Sequence, residues 1–549
     1  MSYLRKTSSP NRENSPSCLP YGTGQQQDEG VSLLLQIGDY RILLDCGLDD
    51  LTTLTKSKQA PVDVVFCSHA HRDHAKGLLA LHQAYPNLTI YSSQVTLKLL
   101  PLIWPGESYE SVKKFCQELP WRTPVQVLEN LTVEIFPAGH IPGAAAFLLT
   151  YRTAKRSYKI FYTGDFSLSN FQLVEGLSIE PLRGLSPDIL IIEGTYGTNR
   201  HPHRRQQEKA LMERIHRALS ENQNILFLVS PLGLGQEILK LLRSHHQFTG
   251  RNLDIWVACE VAQACDLYLE LLPQFPIAVQ NFAKHQPLFW DERISPKMYR
   301  FTKENQPKPD AAPYILITSD LATVMSYATS STGTWLILIP EHLKLLIKTL
   351  EEEIKPFSWL NLEPYLLAEH SDGRNTTQLI HNLRPQHILF IHGSPAYLRD
   401  LASLEELQNR YQLHVPSQAN PVDLPIGEKF IQPAPPTVSL YEGELNEVGT
   451  SITISLPSQI SSDSRWSVFS DTGLVEARWQ GEELIIRGLQ ERELLNNNTE
   501  NRGMEDFDCC RNCYHYRGQK CWNSKSPLYD FKVTPEGCCP VFEPLVTED

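Results

Sequence analysis

From Val31 onward, short apolar runs alternate with polar turns. VSLLLQI, a Gly-Asp turn and YRILLD predict two successive strands, and DVVFCS (Asp63 to Ser68) predicts a further, buried one. A helix is expected from Ala75 to about Ala84. LTIYSS, LTVEIF, AFLLTY, YKIFYTGD and DILIIEG (Asp188 to Gly194) continue the strands. So many consecutive strands with few helices between them predict an α/β protein built as an αβ/βα sandwich rather than a doubly wound parallel sheet.

The pattern changes after Gly197. Leu211, Ile215 and Leu219 recur every four residues and predict a helix around Arg204–Leu219. NILFLVS, a Gly-broken turn, a helix at Gln236–Leu242, and then DIWVACE, YILITSD and WLILIP alternate with helical stretches, as an inserted α/β domain does. A helix around Thr376–Leu383 and the strand HILFIHG resume the first domain. The Pro-rich FIQPAPPTV marks a boundary near residue 435. Beyond it SITISLP, WSVFS, GLVEARW and EELIIRG read as a small β-rich domain, and NNNTENRG as a linker. The expected division is a polar arm rich in Ser, Pro and Gln at 1–29, a sandwich domain at 30–195, an inserted cap at 196–365, the return of the sandwich at 366–430, a β-rich domain at 436–494 and a Cys-rich tail at 505–549.

Composition narrows the setting. With 549 residues the chain is too long for one compact core, and 41% hydrophobic with 21% charged residues is ordinary for a soluble globular protein. The first twenty residues contain no apolar h-region and no run of 18 apolar residues occurs anywhere, so the expectation is a cytoplasmic protein with no membrane span. The formal net charge of −13 repels phosphate at long range, so a nucleic-acid substrate would have to meet a local basic patch. The segment Asn199 to Arg217 carries Arg200, Arg204, Arg205, Lys209, Arg214 and Arg217, and reads either as a source of phosphate contacts or as a solvated helix face.

The strongest chemical signal is His69-x-His71-x-Asp73-His74, directly after an apolar strand. A loop leaving a strand end can aim four donors at one point, and imidazole with carboxylate suits zinc and related metals. One histidine in such a loop is ordinary; three with an aspartate in six residues are not. Further candidates follow at other strand ends: Asp45 in LLDCG, His140 in PAGHIPG, Asp165 in YTGD and His392 in FIHG. A single strand-end Asp is usually a cap or turn residue, but five strand ends share this habit.

In this order of residues the chain resembles the metallo-β-lactamase superfamily, and more narrowly its β-CASP branch of RNA- and DNA-processing nucleases, over about residues 30–430. The resemblance implies one metal held by His69, His71 and His140, a second held by Asp73, His74 and His392, Asp165 bridging them, and Asp45 ordering the ligands without binding metal. It implies two zinc ions, hydroxide made available at neutral pH, Asp73 orienting that hydroxide, and His370 of EHSDG donating a proton to the leaving oxygen while Glu193 of IIEGTYG holds its imidazole. Glu193 taken alone also reads as an ordinary strand-end carboxylate. The long gap from Asp165 to His392 is where the β-CASP cap lies, and a histidine at 392 goes with RNA-acting members. The cap departs from the family pattern: SPLGLGQE (Ser230 to Glu237) keeps the Gly and Gln-Glu of the usual turn but lacks its Phe and Arg, and Ala368-Glu369 stands where Ser-Ala normally precedes the extra histidine.

Of 12 cysteines, half fall between Cys509 and Cys539. Cys510, Cys513, Cys521 and Cys539 suffice for a tetrahedral zinc site or an iron–sulfur cluster, with Cys509 or Cys538 as substitutes; a disulfide or free thiols are the plain alternative. Such a tail could bind nucleic acid or a protein partner. The leading functional expectation is a β-CASP-type ribonuclease cleaving phosphodiester bonds. The alternatives are a hydrolase of small esters or thioesters, and a non-catalytic subunit that binds RNA or a partner nuclease.

Overall fold

The computed structural model describes residues 15–25, 29–291, 293–302, 304–307, 313–320, 322, 326, 333–427, the strand backbone at 444–448, 451–455, 474–480 and 483–488, and residues 513–517 and 520–523. The chain divides into two units, Met1–Gln432 and Pro433–Asp549.

The first unit begins with β1 (Ser17–Thr23), β2 (Val31–Ile37), β3 (Tyr40–Leu44), β4 (Val64–Phe66), β5 (Ile90–Ser93) and β6 (Cys116–Leu119). These form one sheet in sequence order, antiparallel from β1 to β3 and parallel from β3 to β6. A second sheet follows: β7 (Val125–Leu128), β8 (Leu131–Pro137), β9 (Ala145–Arg152), β10 (Ser157–Tyr162) and β11 (Ile189–Glu193). The chain then leaves to build a six-stranded, all-parallel sheet from β12 (Asn224–Leu228), β13 (Asp254–Val257), β14 (Lys297–Arg300), β15 (Ile315–Thr318), β16 (Trp335–Pro340) and β17 (Leu360–Tyr365). It returns as β18 (His387–Ile391) and β19 (Gln412–His414), which extend the second sheet beside β11, and ends at β20 (Val422–Asp423) beside β1.

The two seven-stranded sheets are the halves of an αβ/βα sandwich. Between them lies a core that takes Leu33, Leu35, Ile42, Leu44 and Phe66 from the first sheet and Val133, Ile135, Phe147, Leu149, Ile160 and Ile191 from the second. Alternate residues of β2 and β8 point into it, as the period of a strand requires. The other face of the second sheet packs Leu190, Ile192 and Phe390 against Leu379, Ile380 and Leu383 of the helix Gly373–Leu383. That helix starts at Asp372, whose side chain accepts the N–H of Asn375, three turns of helix before the expected Thr376–Leu383 segment ends.

Two expectations change. Residues 17–23 of the predicted loose arm are a strand: SCLPYGT alternates half-buried and buried positions and pairs with β2 on one side and β20 on the other. Proline and serine disguised it, and proline is tolerated there because the register shifts between Pro20 and Gly22. The helix expected over 75–84 is two, Arg72–Ala75 and Leu78–Ala84, broken around Gly77, where a side chain would strike the Cys46 sulfur and the Leu48 carbonyl.

In the second unit, β21 (Glu444–Val448), β22 (Ser451–Ser455), β23 (Leu474–Gln480) and β24 (Glu483–Gly488) form an antiparallel sheet in sequence order. β25 (Tyr516–Arg517) and β26 (Lys520–Cys521) pair as a short hairpin that carries Cys513 and Cys521, both buried. Cys509, Cys510, Cys538 and Cys539 of the expected tail site lie outside the described residues.

Candidate metal centre

Five strand ends converge at one edge of the sandwich. Asp45 follows β3, His69 to His74 follow β4, His140 follows β8, Asp165 follows β10 and His392 follows β18. Parallel pairing puts neighbouring C-terminal ends side by side; Glu193, the last residue of β11, is paired with Ile391, which immediately precedes His392. Gly164 is required in this arrangement: it has φ of 54°, and a side chain there would press within 2.7 Å of the Ser68 Cβ.

Asp45 is fully engaged within the protein. Its Oδ1 accepts the backbone N–H of Ser68 at 2.6 Å, and its Oδ2 accepts the Ser68 hydroxyl at 2.7 Å, His74 Nδ1 at 2.8 Å and the Tyr162 hydroxyl. It is wholly buried. Those contacts leave Nε2 as the nitrogen that His74 presents to the site.

Donor atoms gather into three overlapping groups, each with its members within 4.8 Å of one another: His69, His71, His140 and Asp165; Asp73, His74 and His392; and Asp165, Glu193, His370 and His392. The first two together contain the seven residues singled out from the sequence. Asp165 Oδ2 is 3.5 Å from His69 Nε2, 3.3 Å from His74 Nε2 and 3.8 Å from His140 Nε2. His392 Nε2 is 3.2 Å from Asp73 Oδ2.

These residues fit a metal. His69 Nε2, His74 Nε2 and Asp165 Oδ1 are buried without a hydrogen-bond partner, a costly arrangement for a polar atom unless it meets a cation. The remaining ring nitrogens are held from behind: His69 Nδ1 by the Ser68 hydroxyl at 2.9 Å, His140 Nδ1 by the Glu369 carbonyl at 2.9 Å, and His71 Nε2 by the Leu232 carbonyl at 3.3 Å. Burial keeps His69, His71 and His140 below the usual histidine range, hence neutral, which is the ligating form. Burial opposes charge on Asp165 as well, but the imidazoles of His392, His74 and His370 outweigh it and hold the carboxyl well below its usual range.

Glu193 and His370 form a second device at the same place. Glu193 Oε1 accepts the Phe166 N–H at 2.8 Å and lies 3.0 Å from His370 Nδ1. Burial works against an imidazolium at His370, yet the Glu193 carboxylate, its hydrogen bond and Asp165 raise the group to about 9. These carboxylates thus favour the imidazolium form of His370.

His71, Asp73, His140, Asp165, His370 and His392 face a cleft of about 670 Å³ shared by the sandwich and the inserted domain, with His69, His74 and Glu193 behind them. Leu232 of the turn Ser230 to Glu237 forms part of its wall. The retained Gln-Glu of that turn is structural: Gln236 accepts the Gly233 N–H at 2.8 Å, and Glu237 is buried and accepts the N–H groups of Gln172 and Leu173.

The basic segment is corrected in part. Arg204 is buried, donates to the Ala368 carbonyl at 2.6 Å, pairs with Glu208 and Glu237, and lies over the Phe171 ring. A guanidinium so enclosed holds the helix Arg204–Ser220 to the sandwich and is not offered to phosphate. Arg214 pairs with Glu363 at 2.7 Å. Arg200 and Arg205 are exposed. Sequence reading missed Ser68, Tyr162 and Thr195, whose hydroxyls bond the site's carboxylates and imidazoles. All three lie within the quoted motifs, but nothing in a sequence separates a hydroxyl that orients a donor group from one that faces water.

The beta-lactamase superfamily domain matches residues 40–227. An uncharacterized protein of Synechocystis sp. (strain PCC 6803) is 50% identical over 97% of this chain and 97% of its own. An RNase J-like protein of Methanocaldococcus jannaschii is 27% identical over 45% of this chain and 59% of its own. The cleavage and polyadenylation specificity factor subunit 3 of Dictyostelium discoideum is 24% identical over 68% of this chain and 53% of its own. This chain thus spans little more than half the length of those last two relatives. With the sandwich, the inserted domain and this donor set, the chain belongs to the metallo-β-lactamase superfamily, in its β-CASP branch.

Proposed function

We propose that this protein is a metal-dependent phosphodiester hydrolase, a β-CASP-type ribonuclease that works with two zinc ions. The observation that carries the reading is the meeting of two devices in one cleft: the His/Asp donor set, and the Glu193–His370 pair 3.0 Å apart beside it. His69, His71 and His140 would hold one ion and Asp73, His74 and His392 the other, with Asp165 between them. When bound, the ions supply a nucleophilic hydroxide at neutral pH and neutralise charge gathering on the phosphate. The chain does the rest. Asp73, half exposed on the cleft side, orients the attacking oxygen. His370 carries the proton that the leaving oxygen needs, and Glu193 keeps it there. The names of the relatives that contain RNase or cleavage factor support RNA as the substrate class.

One observation favours a second reading. Among the described residues lining the cleft, Arg72 is the only Arg or Lys, whereas Glu29, Glu260, Glu341 and Glu369 all contribute carboxylates. Such a wall suits a small, weakly charged substrate better than a polyanion, so a hydrolase of small esters or thioesters is the alternative.

Zinc-loaded protein incubated with end-labelled single-stranded RNA, beside Asp73→Ala, separates them. Cleavage lost in the variant supports the ribonuclease. No RNA cleavage by a protein that holds two ions, with ester hydrolysis that survives His370→Ala, would replace it with the second reading.

A further inference from the structure

Each histidine of the donor set has its outward nitrogen held by an oxygen, and in four of the five that oxygen ends the chain of contacts or belongs to a group outside the Glu193–His370 pair. His392 differs. Its Nδ1 lies 2.9 Å from the Thr195 hydroxyl, and that hydroxyl donates its single proton to Glu193 Oε2. The hydroxyl can then only accept from His392, so His392 carries a proton on Nδ1, and Nε2, on the side of Asp73, is the nitrogen left for a metal. The other oxygen of the same carboxylate faces His370 Nδ1 at 3.0 Å. Asp165 Oδ1 is 3.7 Å from His392 Nδ1, outside hydrogen-bond reach, so it does not replace Thr195.

We infer that Thr195 is a positioning residue that sets the tautomer of His392 for metal binding and ties it, through Glu193, to the proton donor His370. The inference rests on the metal reading above. Its line runs His392, Thr195, Glu193, His370; every link is a hydrogen bond, the first two lying within the neighbouring ends of β11 and β18 and the third reaching His370 beyond β17. Loss of the hydroxyl frees His392 to rotate or to change tautomer, and leaves Glu193 with one partner fewer. The first donor group, His69, His71 and His140, meets this line at Asp165 and at its far end, where the His140 ring lies 4.7 Å from that of His370, so its affinity is expected to depend little on Thr195.

The test is zinc titration against a chromophoric chelator for wild type, Thr195→Val, Thr195→Ser and Asp73→Ala, with thermal unfolding of each. The ion weakened in Asp73→Ala marks the second donor group and separates it from any zinc in the Cys-rich tail. Thr195→Val, which keeps the shape and removes the hydroxyl, is expected to weaken that same ion about 10- to 100-fold and to leave the other unchanged; Thr195→Ser restores it. Unchanged affinity in Thr195→Val would overturn the inference alone. So would equal weakening of both ions that serine does not restore, which marks a general packing defect. Wild-type protein that binds no zinc in the sandwich domain would overturn the metal reading itself.

Discussion

The backbone N–H of His392 donates to the carbonyl of Thr23 at 2.8 Å. A donor residue from the last part of the sandwich is thereby held by the first strand of the chain. His392 has φ of 49°, a left-handed conformation that a bulky residue adopts only when its surroundings impose it. Thr23 supplies that constraint and is itself fixed by Glu29, which accepts from its N–H at 2.6 Å and its hydroxyl at 2.9 Å.

Gly24 makes the constraint testable. It has φ of 68°, and a side chain there would come within 2.9 Å of His392 Cδ2 and of Val31 Cγ2. Gly24→Val is expected to cost about 1–2 kcal/mol from the left-handed backbone alone and to lower hydrolysis about 10- to 100-fold by displacing His392. Urea unfolding and initial rates measure the two effects separately; a wild-type rate would show that Thr23 and Gly24 do not position the ligand.

Asp45 meets four donor groups while wholly buried. Asp45→Ala strands the Ser68, His74 and Tyr162 donors and is expected to destabilise the fold by about 3 kcal/mol or more. Because it also releases the His74 ring, zinc affinity falls even in molecules that remain folded, as equilibrium dialysis at low temperature would show.

The pH dependence follows from His370. Its folded value is raised, to about 9, so the imidazolium is present below that pH and lost as pH rises through it. Hydrolysis should therefore fall on an alkaline limb, at or below pH 9 because bound cations disfavour a nearby positive charge. Glu193→Gln removes the main group that holds the proton, so the limb should move to lower pH. A limb that stays in place in that variant would remove His370 from the role of proton donor.

Arg204 and Arg205 are adjacent and should behave oppositely. Arg204→Met leaves Glu237 buried without its cation and is expected to destabilise the protein by about 3 kcal/mol, with no change in the salt dependence of RNA binding by the folded fraction. Arg205→Ala should be neutral in stability. If Arg205 meets phosphate, the slope of log K against log salt falls by about one unit; filter binding at several salt concentrations reads it.

The strands that build the site were legible because each is a short apolar run ending in a polar residue with a turn behind it. DVVFCS followed by His69 to His74, YKIFYTGD, DILIIEG and FIHG all show the pattern. β1 was not legible: its burial alternates, but through Cys18, Pro20 and Gly22, residues that carry little strand signal. Its place is set by pairing with β2 and β20, and β20 lies some four hundred residues downstream.

By itself the sequence determined which donor types exist, their order along the chain and their habit of standing at strand ends, because strand period and turn chemistry are local properties. Which donors share one point was decided by tertiary structure. Parallel pairing of β10, β11 and β18 lays Asp165, Glu193 and His392 side by side, and the excursion through the inserted domain returns His370 to Glu193 across 177 positions of chain. The same packing withdrew Arg204 from solvent and gave Thr195 two partners. Charge and hydroxyl groups take their roles from what surrounds them, and those surroundings come from distant parts of the chain.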